Sequence, residues 1–269
     1  DTECMALALK LSQFGRTAVG ANPMVGCVIT LDGKIIAQDY HRFYGGAHAE
    51  VNALRHINHK GENTRVYITL EPCSHFGKTP PCSEALIKAG VKKVFIAMLD
   101  PNPLVSGRGI KILQDSGIEV EVGLLEKEAN EINRGFIKRM QTGLPFVTSK
   151  IAMSLDGRTA MKNGESKWIT SEASREDVQL LRSLNQAIMT GSGTIKSDNP
   201  MMTVRNESED SNPLRVVIDS NNVITDKSLN IFSSDAKTLI LNNNNSEMLA
   251  NGKLDLKSAL IKLGEMGIN

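Results

Sequence analysis

The chain has 269 residues, 41% of them hydrophobic and 23% charged, with a formal net charge of +1. That length predicts about two domains, and the composition is that of a globular protein rather than a disordered or fibrous one. The near-neutral balance speaks against a polynucleotide-binding field over the whole surface, no apolar run is long enough to cross a bilayer, and four cysteines without a signal peptide suggest a reducing compartment, the cytoplasm.

Asp1 to about Phe14 reads as a helix with Met5, Leu7, Ala8 and Leu11 on one side; the weak cap and missing initiator methionine suggest further residues before Asp1. A turn over Ala21–Gly26 feeds a strand from Cys27 to Leu31. Asp32-Gly33 is a hairpin signal, and Lys34 to Asp39 the return strand. The loop from His41 to Gly46 delivers His48, and a helix runs from Glu50 to about His59. Strands at 66–70, 93–98 and 118–122 alternate with helices at 83–89 and 110–116, an α/β pattern with helices packed on a central sheet. A helix from Glu126 to about Met140 ends at Gln141-Thr142-Gly143-Leu144-Pro145, a stop and a linker that divides the chain into 1–143 and 144–269. Beyond it come a strand from Phe146 to Ala152, a turn at Leu155–Arg158, and a helix from Glu172 to about Leu184 capped by Ser171. A short strand, Ala187–Thr190, runs into Gly191-Ser192-Gly193-Thr194. Arg215–Asp219 and Thr238–Leu241 are strands, the first an apolar run suited to a sheet covered on both faces. Asn206–Asn212 and Asn242–Asn245 are polar loops, and no internal repeat is present.

The chemistry concentrates in His48-Ala49-Glu50 and in Leu70-Glu71-Pro72-Cys73 through Cys82. Cys73 follows a strand end, and Cys82 and His48 stand at helix starts, where the dipole favours a thiolate. One histidine and two cysteines make three ligands for Zn²⁺ and leave a fourth position for water. Glu50, two residues from His48, can handle that water's proton without being a ligand. H-x-E with a later P-C-x-x-C is the signature of zinc deaminases. Here eight residues rather than two separate the cysteines. A closed structural site with His75 as fourth ligand is the alternative; the glutamate beside His48 has no use there, so His75 is read as lining the pocket. Cys4 and Cys27 read as core thiols.

These residues resemble the cytidine-deaminase-like superfamily. The insert Ser74-His75-Phe76-Gly77-Lys78-Thr79-Pro80-Pro81, with Asn22-Pro23, His48-Ala49-Glu50-Val51 and Asp100-Pro101-Asn102-Pro103, more specifically resembles the RibD family of bacterial riboflavin biosynthesis. Lys150 to Ala160, Ser166 to Ser171 and Ser197-Asp198-Asn199-Pro200 resemble that family's reductase domain. The resemblance implies a cytidine-deaminase-like three-layer α/β domain followed by a dihydrofolate-reductase-like domain. It also implies two reactions on one small phosphorylated pyrimidine: zinc-dependent loss of an amino group, then NADPH reduction of its ribosyl group to ribityl. His48, Cys73 and Cys82 are then the metal ligands and Glu50 the catalytic group, with Asn22, His41, Lys78 and Asn102 near the deaminase substrate. In the reductase, Ala152, Trp168, Thr194, Asp198 and Ser220 are implied NADPH contacts, and Ser166, Arg182, Met202 and Arg205 face the substrate; Lys150, near the start of the expected strand, is placed to polarise the opened sugar of the substrate. Arg182 and Arg205 suit a phosphate. The second half has no G-x-G-x-x-G fingerprint, and the Gly191–Thr194 run alone is weak evidence for a phosphate cradle. The family is usually homo-oligomeric, and its reductase continues beyond Asn269 into a further strand and a glycine-rich loop, so the reductase domain is expected to be incomplete here. A single-reaction nucleoside or tRNA deaminase with an unrelated appendage, and a zinc-stabilised binding module, are the rival readings. The long inter-cysteine insert opposes the first and Glu50 the second.

Overall fold

The computed structural model describes residues 1–57, 63–74, 81–102, 105–205 and 212–269. It divides into two units, Asp1–Phe146 together with Asn269, and Val147–Ile268.

The first unit holds helices α1 (Thr2–Ser12), α2 (Ala49–Leu54), α3 (Cys82–Ala89), α4 (Arg108–Asp115), α5 (Glu126–Ile132) and α6 (Arg134–Thr142). Its strands are β1 (Gly26–Leu31), β2 (Lys34–Tyr40), β3 (Thr64–Ile68), β4 (Lys93–Ile96) and β5 (Glu119–Val122), in the order β2-β1-β3-β4-β5. β1 is antiparallel to β2 and β3, whereas β3, β4 and β5 run parallel, as βαβ crossovers require. Asp32 and Gly33 both take positive φ, the geometry of a tight I′ hairpin, and join β1 to β2 as the sequence predicts. β1 is buried almost throughout because α1 and α2 both pack on it, giving the expected three-layer α/β unit. Gly26 lets α1 approach closely, since a Cβ there would collide with the Ala8 carbonyl oxygen.

One predicted helix is broken. Residues 126–140 form α5 and α6, separated at Asn133, whose buried side chain accepts from Met24 N (2.8 Å) and donates to Met24 O (2.9 Å). A tertiary bond of this kind outweighs the intrinsic preference to continue the helix.

The second unit contains α7 (Glu172–Ser183), β6 (Ala187–Gly191), α8 (Ser192–Asp198), β7 (Leu214–Ile218), β8 (Thr238–Leu241) and α9 (Leu256–Glu265). Its sheet runs β6-β7-β8, all parallel. Val216 packs with Leu241, Leu254, Ala259 and Leu263, while Val217 packs with Ile195, Met202 and Ile231, so the sheet is covered on both faces as its apolar run predicts. Ser171 caps α7 by accepting from Ser174 N, also as expected. The predicted strand 146–152 is not one: these residues are irregular and pair with no strand among the described residues, leaving Val147 and Ile151 exposed. α9 had no counterpart in the reading of the sequence, although Asp255 caps it by accepting from Lys257 N and Ser258 N.

Candidate metal centre and its cavity

β3 ends at Ile68, and the chain turns through Glu71 and Pro72 to place Cys73 beside the start of α3. Cys82 is the first residue of that helix. Its backbone N–H donates to Cys73 Sγ (3.3 Å), and Ser83 N and Oγ both donate to Cys73 O (3.2 Å each). The open first turn of α3 thus fixes one cysteine while carrying the other. His48 occupies the N-cap of α2 in extended backbone, which aims its ring outward from the helix start.

His48 Nδ1 lies 3.2 Å from Cys82 Sγ and 3.5 Å from Cys73 Sγ, and the three ligand atoms lie within 4.8 Å of one another. Bonds of about 2.0 Å to nitrogen and 2.3 Å to sulfur at a tetrahedral angle give an edge of about 3.5 Å, so this N/S set fits zinc. Cys73 is held below the ordinary thiol value, first by its hydrogen bond with Cys82, and Cys82 is raised by the same bond. His48 is raised, first by its hydrogen bond to Cys73. A dication would replace the thiol protons and hold both sulfurs as thiolates.

Glu50, the second residue of α2, is 3% exposed, and burial pushes its carboxyl up to about 7. A nearby dication opposes that rise. His41 is also buried, which lowers it. Its Nδ1 is 3.1 Å from Ala47 O, its Nε2 3.0 Å from Asn22 Nδ2, and its ring meets that of His48 edge-on at 5.4 Å. These residues, with Asn102, Glu71, Tyr44, Phe136 and Arg139 among others, line a cavity of about 370 Å³. Asn22, His41, His48, Glu50, Cys73 and Asn102 are therefore brought together. Lys78 and His75 lie outside the described residues, as does Pro103.

Three buried residues that the sequence reading passed over position these groups. Glu71 accepts from Asp100 N (3.2 Å), Gly107 N (2.9 Å) and Gly109 N (3.0 Å), holding the segment that carries Asn102. Asn52 donates to Tyr40 O (2.9 Å) and Ala47 O (3.2 Å), fixing the loop of His41. Asn133 clamps Met24, two residues from Asn22. Only the run Glu71-Pro72-Cys73 marked any of them in the sequence.

In the second unit Arg182 and Arg205 lie close enough to repel. Arg182 is lowered, by burial first and Arg205 second, and donates to Thr203 O (2.8 Å). Met202, 3% exposed with φ of 52°, packs in the core beside them in sequence. Thr194 and Asp198 are exposed on α8, and a Cβ on Gly191 or Gly193 would meet nothing within 4 Å, leaving room for a cofactor at that turn. Trp168 is exposed, with the Arg175 guanidinium 4.3 Å over its ring. Ser220 Oγ accepts from Leu254 N (3.0 Å), Ala152 and Ser166 are half-buried, and Lys150 is exposed.

The family model for the cytidine and deoxycytidylate deaminase zinc-binding region matches residues 1–98, and that for the RibD C-terminal domain matches residues 145–269. The chain is 51% identical over 237 residues to riboflavin biosynthesis protein RibD of Escherichia coli K12, covering 84% of this chain and 65% of that one. It is 43% identical over 300 residues to RibD of Buchnera aphidicola subsp. Baizongia pistaciae, covering 100% of this chain and 79% of that one. It thus spans just under two thirds of the length of the first of these relatives. Among solved structures it is similar to Acinetobacter baumannii RibD, with 40% identity and a TM-score of 0.89 over 99% of this chain and 78% of the other. Among the described residues no helix is long and apolar enough to cross a membrane.

Proposed function

The chain belongs to the RibD family, and from that premise we propose that it is a bifunctional enzyme of riboflavin biosynthesis. Residues 1–143 deaminate 2,5-diamino-6-ribosylamino-4(3H)-pyrimidinone 5′-phosphate, and residues 144–269 belong to the reductase that turns the ribosyl group into ribityl. The observation that carries the reading is the cluster of His48, Cys73 and Cys82, of which His48 and Cys73 share the wall of one cavity with buried Glu50.

Zinc, held by His48, Cys73 and Cys82, would supply water acidic enough to react at neutral pH. Glu50 would accept one proton of the attacking water and pass it to the ring nitrogen next to the attacked carbon, then carry the second proton, from the added hydroxyl, to the amine, which leaves as ammonia as the carbonyl forms. Its burial suits a carboxyl that must both accept and give a proton near neutrality. Asn22 and Asn102 offer amides to the pyrimidine edge, His41 holds Asn22 in place, and Lys78 binds the substrate. NADPH, when bound, supplies the hydride of the second reaction. Trp168, Thr194, Asp198, Ala152 and Ser220 hold it, Arg182 and Arg205 clamp the substrate phosphate, and Lys150, Ser166 and Met202 face the sugar. The enzyme acts in the cytoplasm as a homo-oligomer on a small molecule.

The test is zinc content combined with ammonia release. Cys82→Ser should lose metal and deamination together, whereas Glu50→Gln should keep zinc and lose turnover. Ammonia should come from the pyrimidine phosphate and not from cytidine or an RNA oligomer; the reverse preference would sink the reading.

A further inference from the structure

We propose that Asp39 is a positioning residue for the deamination, fastening the loop of His41 and Tyr44 to the helix that His48 caps and that carries Glu50; this rests on the deaminase reading above.

β2 alternates as a half-buried strand should, with Gln38 exposed between buried Ala37 and buried Asp39. Asp39 therefore stands at a core-facing position, opposite the fully buried Cys27 of β1, where the pattern calls for an apolar side chain. A carboxylate there is costly unless donors reach it. Four donors do: its Oδ1 accepts from Tyr40 N (2.8 Å) and Arg42 Nε (3.1 Å), and its Oδ2 from Arg42 Nη2 (2.9 Å) and His56 Nε2 (3.2 Å). Burial alone would raise its pKa, but the bonds from Arg42, Tyr40 and His56 hold it below the ordinary carboxylate value, so it stays ionised near neutral pH.

The side-chain donors come from two segments that build the cavity. Arg42 belongs to the loop between β2 and α2, whose His41 and Tyr44 line the cavity. His56 follows the last turn of α2, at the opposite end from His48 and Glu50. Neither Arg42 nor His56 is among the described lining residues, so what they do for the cavity passes through Asp39. The Arg42 fork is bidentate and fixes direction as well as distance. His48, as a metal ligand, is fixed from a second side, whereas the loop wall is not. Loosening Asp39 should therefore blur the substrate contacts and leave the chemical step intact. An inward-pointing charge on an edge strand can also serve only to block pairing with another chain, and β2 is an edge of its sheet. Kinetics separates the two roles.

The experiment measures ammonia release from the pyrimidine phosphate, zinc content and light scattering for Asp39→Asn, Arg42→Gln and the double variant. Asp39→Asn should raise KM about fivefold, the loss of roughly one net hydrogen bond. Its kcat and zinc content should stay within about twofold of the unaltered enzyme, the signature of a contact shared by ground and transition states. Arg42→Gln should reproduce the rise in KM, and the double variant should add nothing to it, as for two residues that act as a unit. The Tyr44 and Gly46 amides, which donate to Ala18 O and Phe43 O, should exchange faster with solvent in Asp39→Asn. An unchanged KM in Asp39→Asn overturns the proposal: with aggregation Asp39 is an edge guard only, and with loss of kcat and zinc it is general support. Effects that multiply in the double variant overturn it too. An unaltered enzyme that releases no ammonia would instead sink the deaminase reading, and this proposal with it.

Discussion

Replacing Glu71 with glutamine changes one oxygen for an NH₂ group and removes one charge, leaving the shape of the side chain intact. Glu71 Oε2 accepts from two backbone amides, Asp100 N and Gly107 N, and Oε1 from one, Gly109 N. Glutamine can keep its oxygen on the side of the pair, but its NH₂ then faces the Gly109 N–H, donor against donor. One buried amide is left unsatisfied, at a cost of about 1–3 kcal/mol. Gly109 packs tightly against Pro72, where even an added Cβ would collide with the carbonyl oxygen, which limits relaxation on that side. At about 2 kcal/mol the Gly107 and Gly109 amides should exchange with solvent about 30-fold faster. KM for ammonia release should rise, because Asn102 rides on this segment, while zinc content holds at its unaltered value. Glu71→Leu, which loses all three acceptors, should accelerate exchange well beyond that. Hydrogen exchange at these amides unchanged in Glu71→Gln would refute the claim that this carboxylate organises the loop.

Asn133→Ala removes two hydrogen bonds to Met24, together worth about 2 kcal/mol. The loop of Asn22 loosens, so steady-state kinetics should give a KM raised several-fold with kcat little changed; a fall in kcat alone would contradict this. Arg215 is fully buried, its Nη1 donating to the carbonyls of Ile231, Ser233 and Ala236 and its Nη2 to Ser233 Oγ. Arg215→Met strands these carbonyls and should weaken the second unit by about 3 kcal/mol. Hydrogen exchange of the β7 amides should then accelerate about 100-fold; unchanged exchange would mean that the cost of burying the charge cancels its bonds.

What the sequence determined by itself was local. The Asp-Gly hairpin, the Ser171 cap and the apolar run of β7 are each decided by neighbouring residues, because turn geometry, capping and strand patterning are set over a few positions. The ligand types of His48, Cys73 and Cys82 were legible too, since zinc chemistry restricts which side chains serve. Their mutual distances were not, because the ligands come from two segments 25 residues apart that meet only when α2 and α3 pack together. Tertiary structure alone made Glu71, Asn52 and Asn133 important. Each is an ordinary polar residue in its own segment and gains its role from a backbone group elsewhere in the chain, up to 109 positions away for Asn133 and Met24. It also decided the fate of residues 146–152, where β-branched composition favours a strand but a strand exists only when a neighbour accepts its hydrogen bonds.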